Sequence, residues 1–302
     1  MSILTLEHLT KSFGAHQVID DISYTLEEGR IFGLIGQNGA GKTTLMKLIL
    51  GLLPSTKGKI FILDEEVSYG YTATNRHIGY LPDVPSYYPY MTAYEYLMLC
   101  GEITGMPKNV RKERVEHYLH LVGLAKNKKR IQQFSRGMKQ RLGIAQALIN
   151  QPKLLICDEP TSALDPIGRK EILDILQSIK HETTVILSTH ILHDAEQICD
   201  EIALLHNGKF VITGNLSEIM TKHSKHQIQV TFHTENQACT FLEKLPFNEQ
   251  IVHKSNSLII EAKDLTHTQQ QLFSLCNALN LYPSSIEVVQ PSLDEIFLEV
   301  SR

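Results

Sequence analysis

Gly36-Gln37-Asn38-Gly39-Ala40-Gly41-Lys42-Thr43-Thr44 has the spacing G-x-x-x-x-G-K-[ST] of a phosphate-binding loop. Arg30-Ile31-Phe32-Gly33-Leu34-Ile35 before it is apolar and partly β-branched, as a buried strand should be, and Leu45-Met46-Lys47-Leu48-Ile49-Leu50 after it reads as helix. Strand, glycine loop and helix therefore come in the required order. Three glycines let backbone N–H groups turn inward without a Cβ in the way, and the helix N-terminus adds partial positive charge. Lys42 is placed to reach β- and γ-phosphates and Thr43 to offer its hydroxyl to Mg²⁺, so the stretch predicts a nucleoside triphosphate site.

Further along, Lys153-Leu154-Leu155-Ile156-Cys157 is a short apolar run that delivers Asp158 and Glu159 before Pro160 ends it. In parallel α/β sheets ligands gather at the carboxyl ends of strands, which places Asp158 to hold Mg²⁺ and Glu159 to take a proton from an attacking water. Taken alone, two adjacent carboxylates after a strand read equally well as an exposed turn. Thr184-Val185-Ile186-Leu187-Ser188 is another buried strand, ending in Thr189-His190. His190 is either a γ-phosphate sensor or an ordinary histidine, and His193 does not complete a metal site. Phe134-Ser135-Arg136-Gly137-Met138-Lys139-Gln140-Arg141 leads into a helix expected over Leu142–Ile149. There Ser135 is an N-cap, or it presents an anion site together with the Gly137 N–H. Phe13, in an expected turn Lys11-Ser12-Phe13-Gly14, either stacks on a purine or packs in the core.

Around these motifs the chain alternates strands and helices. Ile3, Leu4 and Leu6, Lys59 to Leu63 and Ile78 to Leu81 read as strands, Val18 to Leu26 mixes β-branched and acidic residues, and Pro85-Ser86-Tyr87-Tyr88-Pro89-Tyr90 after Asp83 reads as an ordered loop. Thr92-Ala93-Tyr94-Glu95 is a capping box that opens a helical insert of about residues 91–145. The 302 residues are 42% hydrophobic and 21% charged with net charge −4, a balance that gives no general attraction to nucleic acid or anionic lipid. The five cysteines are odd in number, scattered and without a C-x-x-C pair, which argues against a disulfide framework or a zinc site and for a reducing cytoplasm. No apolar run approaches the ~18 residues of a membrane span.

With these motifs in this order, the first two-thirds of the chain resembles the ATP-binding cassette family. The resemblance implies an α/β P-loop NTPase cassette with a helical subdomain. It makes Phe13 the adenine-stacking aromatic, Gly36 to Thr44 Walker A, Phe134 to Met138 the signature, and Asp158 with Glu159 Walker B and the catalytic glutamate. Asp165 falls in the D-loop and His190 is the switch histidine. It further implies MgATP as ligand, with Ser135 and Gly137 of one chain closing on the ATP of a second in a homodimer. Two motifs depart from the family's common form. Arg136 and Met138 replace glycine and glutamine in the signature, and Asp83 stands at the Q-loop glutamine, a shorter side chain that only accepts hydrogen bonds and approaches Mg²⁺ by charge.

Beyond Asn207-Gly208, a tight hairpin turn, the cassette is expected to end near residue 215. Helix-like Leu216 to Lys222 and a His/Lys/Ser stretch then lead into strand, helix, strand, strand, helix, strand, the split β-α-β pattern of a small α+β, ferredoxin-like domain over 216–302. A capped amphipathic helix, Pro291 to Val300, closes the chain. Such a tail resembles the accessory domain of drug- and peptide-exporter cassettes that pair with separate ABC-2-type permeases. The reading is thus an ATP-hydrolysing exporter subunit at the cytoplasmic face of the cell membrane, held there by its permease, with no nucleic-acid partner and a cargo chosen elsewhere. The rival is a soluble cassette ATPase acting on ribosomes or DNA, against which stand the single cassette, the short insert and the absence of basic character.

Overall fold

The computed structural model describes residues 1–70, 73–223, 227–245, 251–262, 264–289 and 292–300. The chain opens on a long antiparallel hairpin, β1 (Ser2–Phe13) and β2 (His16–Glu27). The turn expected at Lys11 to Gly14 is corrected here. Lys11, Ser12 and Phe13 pair with Ile19, Gln17 and His16, which extends β1 and leaves the reversal to Gly14, at φ 59°, and Ala15. β3 (Ile31–Ile35) is buried at all five positions and passes through the glycine loop into α1 (Lys42–Ile49). β4 (Lys57–Ile62) and the short β5 (Glu65–Glu66) complete an outer sheet in the order β2-β1-β4-β5.

β6 (Ile78–Leu81) precedes the helical insert, made of α2 (Ala93–Ile103), α3 (Lys108–Leu121) and α4 (Arg136–Leu148). The capping box forms as a reciprocal pair: Thr92 Oγ1 accepts from the Glu95 N–H at 3.3 Å, and Glu95 Oε2 accepts from the Thr92 N–H at 2.8 Å. The helix expected from Leu142 starts six positions earlier. Ser135 Oγ accepts from the Met138 N–H at 3.2 Å and caps a polar first turn that precedes the apolar face.

The second half supplies β7 (Leu154–Asp158), α5 (Pro166–Ile179), β8 (Thr184–Thr189), α6 (Leu192–Ile198), β9 (Glu201–His206) and β10 (Lys209–Asn215). The central sheet runs β10-β9-β3-β8-β7-β6, with β9, β3, β8, β7 and β6 parallel and β10 antiparallel to β9. Its register pairs Ile35 with Thr189, Asp158 with Ser188 and Leu81 with Cys157. The glycine loop, Asp158-Glu159, Thr189-His190 and Pro82-Asp83 therefore leave the sheet at one edge. Beneath that edge α1 packs Leu45, Met46, Leu48 and Ile49, each at most 2% exposed, onto both sheets. Burying each contributes about 1.5–3 kcal/mol, so the loop is anchored by packing on both its sides.

The chain divides into two compact units, Met1–Leu216 and Ser217–Arg302. From α7 (Leu216–Lys222) the second continues as β11 (Gln227–Thr231), α8 (Glu235–Leu242), β12 (Ile251–Lys254), β13 (Ser257–Glu261), α9 (Leu265–Leu279), β14 (Ser285–Val289) and α10 (Leu293–Val300). Its strands pair antiparallel in the order β12-β13-β11-β14, the pairing of a ferredoxin-like sheet. Alternation drives it: Ile228, Val230, Leu258 and Ile260 are fully buried, while their strand neighbours are partly exposed. Ser292 Oγ accepts from the Glu295 N–H at the start of α10. Pro291 and residues 224–226 of the His/Lys/Ser stretch lie outside the described residues.

Candidate functional site

Backbone geometry makes the loop what it is. A Cβ on Gly36 would stand 2.6 Å from the Leu205 carbonyl, and Gly41, the residue before α1, adopts φ 108°. Only glycine fits both demands. No side chain caps α1 and no acidic residue lies in its first turn, so its leading N–H groups are left to be satisfied from outside the helix. Lys42, 6% exposed, donates to the carbonyls of Gly36 at 2.6 Å and Gln37 at 3.3 Å, and its ammonium is 3.3 Å from Glu159 Oε1.

The ends of β7 and β8 knit onto this loop. Thr43 Oγ1 donates to Asp158 Oδ2 at 3.0 Å, and Ser188 Oγ donates to Asp158 Oδ1 at 2.6 Å while accepting from the Glu159 N–H at 3.0 Å. Glu159 is a non-glycine residue at φ 49°, a left-handed conformation that stores strain and turns its carboxylate off the strand line. That carboxylate meets Lys42 through Oε1 and His190 through Oε2, 2.8 Å from Nδ1. Burial first, and then the carboxylates of Asp158 and Asp83, push the Tyr80 hydroxyl up to about 12.

These residues suit a magnesium nucleotide. A threonine hydroxyl and an aspartate carboxylate 3.0 Å apart are hard oxygen donors of the kind Mg²⁺ takes. Among the described residues no group of three or more His, Cys, Asp or Glu side chains converges, so phosphate and water oxygens would complete the shell. The uncapped helix start and the buried Lys42 match a polyphosphate.

Lys42, Thr43, Asp158, Glu159 and His190 are thus brought together, and Ser188, which sequence reading passed over as a strand residue, links the Asp158 carboxylate to the Glu159 backbone N–H. Thr44 follows in the first turn of α1. Phe13 is 49% exposed, which removes the core-packing alternative; Lys11 Nζ lies 4.8 Å from its ring centroid. Its register partner His16 lines, with Val18, Asn38, Gly39, Ala40 and Asn207, a hollow of about 240 Å³ beside the loop. Ser135 and Gly137 stand apart from the Lys42 cluster, at the start of α4. A Cβ at Gly137 would meet Leu164 Cδ2 at 3.9 Å, next to Asp165, which caps α5. Asp83 stands apart as well. Its Oδ1 accepts from Arg136 Nη2 at 3.3 Å and its carbonyl from Gln140 Nε2 at 2.7 Å, so its contacts run to α4 and not to Thr43 or Asp158.

Comparison with known proteins agrees with this geometry. Residues 19–162 match the ABC transporter family, and residues 214–301 match the C-terminal domain of DrrA1-3-like ATP-binding proteins. The ABC transporter ATP-binding protein YxlF of Bacillus subtilis (strain 168) is 39% identical over 99% of both chains. The bacitracin transport ATP-binding protein BcrA of Bacillus licheniformis is 34% identical over 99% of this chain and 97% of its own length. For the linearmycin resistance ATP-binding protein LnrL of Bacillus subtilis (strain 168) the identity is 32%, over 99% and 98%. Among solved structures, an ATP binding subunit of an ABC transporter superposes with TM-score 0.65 and 32% identity over 73% of this chain and 92% of that one. The cbiO1 subunit from Clostridium perfringens, part of an ABC transporter complex, superposes with TM-score 0.67 and 26% identity over 73% and 91%.

Proposed function

The chain belongs to the ATP-binding subunits of ABC transporters, a family of ATPases, and from that premise we propose that two copies close on two MgATP molecules to drive a separate permease. The observation that carries the hydrolytic part is the continuous network Thr43–Asp158–Ser188–Glu159–His190, with Lys42 on the Glu159 carboxylate, all at one edge of the central sheet. Lys42 and the N–H groups of α1 bind the β- and γ-phosphates. Thr43 and Asp158 hold Mg²⁺, which when bound neutralises charge on the transferred phosphoryl group. Glu159 accepts the proton of the attacking water, and His190, bonded to its other oxygen, fixes the direction in which it does so. Phe13 offers an exposed face to the adenine, and Ser135 and Gly137 complete the site of the second copy.

The drug- and peptide-type cargo is inferred from the relatives that carry bacitracin and linearmycin in their names, together with the DrrA-like tail. Among the described residues no helix is long and apolar enough to cross a membrane. The spanning segments then belong to a separate permease and this chain to the cytoplasmic face, a reading supported by the relatives named as transport ATP-binding proteins. Tyr88 and Tyr90, each at least half exposed with ring centroids 5.9 Å apart, offer an aromatic surface beside the helical insert suited to that partner. The test is affinity purification of the tagged chain from detergent-solubilised membranes. Expected is recovery of one integral-membrane protein with several spans, in a complex whose MgATP turnover exceeds that of the chain alone. Recovery with ribosomes, or free of any membrane protein, overturns the proposal.

A further inference from the structure

Two of the residues that depart from the family's usual motifs, Asp83 and Arg136, are 53 positions apart in sequence and bonded to each other in space, Arg136 Nη2 to Asp83 Oδ1 at 3.3 Å. Around this ion pair α4 grips the segment from β6 to α2 at successive turns of one face. Gln140, 1% exposed, donates to the Asp83 carbonyl at 2.7 Å. The Lys139 carbonyl accepts from the Tyr87 hydroxyl at 2.6 Å. A Cβ at Gly143 would stand 2.8 Å from that same hydroxyl and closer still to Leu81, so the bare backbone there is what lets the segment lie down on the helix. Positions 136, 140, 143 and 147 share a helical face, and the Ala147 carbonyl is packed directly against Gly79 of β6.

We propose that Asp83 and Arg136 act as a positioning pair that sets the direction in which the start of α4, with Ser135 and Gly137, is presented, and that Asp83 works through Arg136 and not on Mg²⁺. The inference rests on the transporter-ATPase reading, in which those two residues complete the second copy's site. Electrostatics explains why the two departures belong together. The first turn of α4 contains Arg136 and Lys139 and no acidic residue, a cationic start at the helix end that disfavours cations. Asp83 supplies from the loop the carboxylate that the first turn lacks. Both partners are nearly half exposed, and an isolated exposed pair contributes little to stability. Here both ends are already placed, Asp83 by Gln140 on its carbonyl and Arg136 by the Ser135 cap, so the pair decides orientation without having to order either residue.

The experiment is a double-mutant cycle in the complex with its permease: Asp83→Ala, Arg136→Ala, and both together, read as kcat, ATP KM and the Mg²⁺ concentration for half-maximal rate. Each single substitution is expected to lower kcat about threefold at unchanged KM, and the double also about threefold, because the second removal finds nothing left to lose. Mg²⁺ dependence stays where it is, and Asp83→Glu recovers part of the rate. Effects that multiply to about ninefold in the double overturn the pair. So does an Asp83→Ala enzyme that demands more Mg²⁺, since that makes Asp83 a metal-side residue. A wild-type complex with no ATP turnover overturns the transporter reading itself, an outcome distinct from either.

Discussion

The two units of this chain bury different things. Met1–Leu216 encloses Lys42, Asp158, Gln140, Ser188, Thr189 and Asp194 among its aliphatic residues, whereas in the C-terminal unit Thr268 is the one buried polar residue among those described. That second core is Ile228, Val230, Phe232, Phe241, Leu258, Ile260 and their apolar neighbours. Burying a polar group costs free energy unless it is hydrogen-bonded, and burying a charge costs more. The first unit holds a lysine beside a carboxylate at the edge of its sheet, against that cost, while the second, among its described residues, buries almost no polar group.

The strongest way to break this comparison is Glu159→Gln, which keeps size and hydrogen bonding but cannot accept a proton. Turnover is expected to fall by roughly 10² to 10⁴. Equilibrium binding of ATP should meanwhile tighten, because the substitution removes the carboxylate that faces the Lys42 ammonium and competes for it with phosphate. Size measurement of this variant with and without MgATP reads out dimer closure. Near-normal turnover would make the Glu159–His190–Lys42 cluster a structural device, and the two units would then differ in packing style only.

Next in size is Lys42→Ala. It removes the buried ammonium and leaves the Gly36 and Gln37 carbonyls and Glu159 without their donor. ATP affinity should drop about 10- to 100-fold, the worth of a hydrogen bond to a charged group, as read by nucleotide titration. Undiminished binding means that the loop does not hold phosphate.

How much of this was legible in the sequence follows the same division. The glycine loop, the carboxylates after β7 and His190 after β8 were readable because each motif is local and its residue types have few other uses together. The ferredoxin-like order was readable because one buried face imposes strict alternation on β11 and β13. Ser188 was not, since its bonds to Asp158 and Glu159 arise from the parallel register that sets Asp158 beside it, and register between strands 30 residues apart leaves no local trace. The start of α4 was misplaced because its first turn is polar and the apolar periodicity begins later than the helix does. The Asp83–Arg136 pair was invisible for the reason that makes it informative: each residue alone is only a departure from a motif, and only the packing of α4 on the β6–α2 segment shows that they depart together.

The smallest effect on activity, and the sharpest check on the division, is expected from Phe241→Ala. Phe241 is fully buried in the C-terminal unit with its ring centroid 5.0 Å from that of Phe232. Deleting the ring leaves a cavity and should destabilise that unit by about 3–5 kcal/mol. Hydrogen exchange then locates the damage: amides of β11 and β13 should lose protection, while those of β3, β7 and β8 keep theirs. ATP KM and basal kcat should stay within about twofold of wild type, since no described residue of that unit belongs to the Lys42 cluster. If Phe241→Ala instead abolishes ATP binding as Lys42→Ala does, the two units unfold as one body. The apolar core would then be part of what holds the nucleotide site in shape, and the contrast in what the units bury would no longer mark a division of labour.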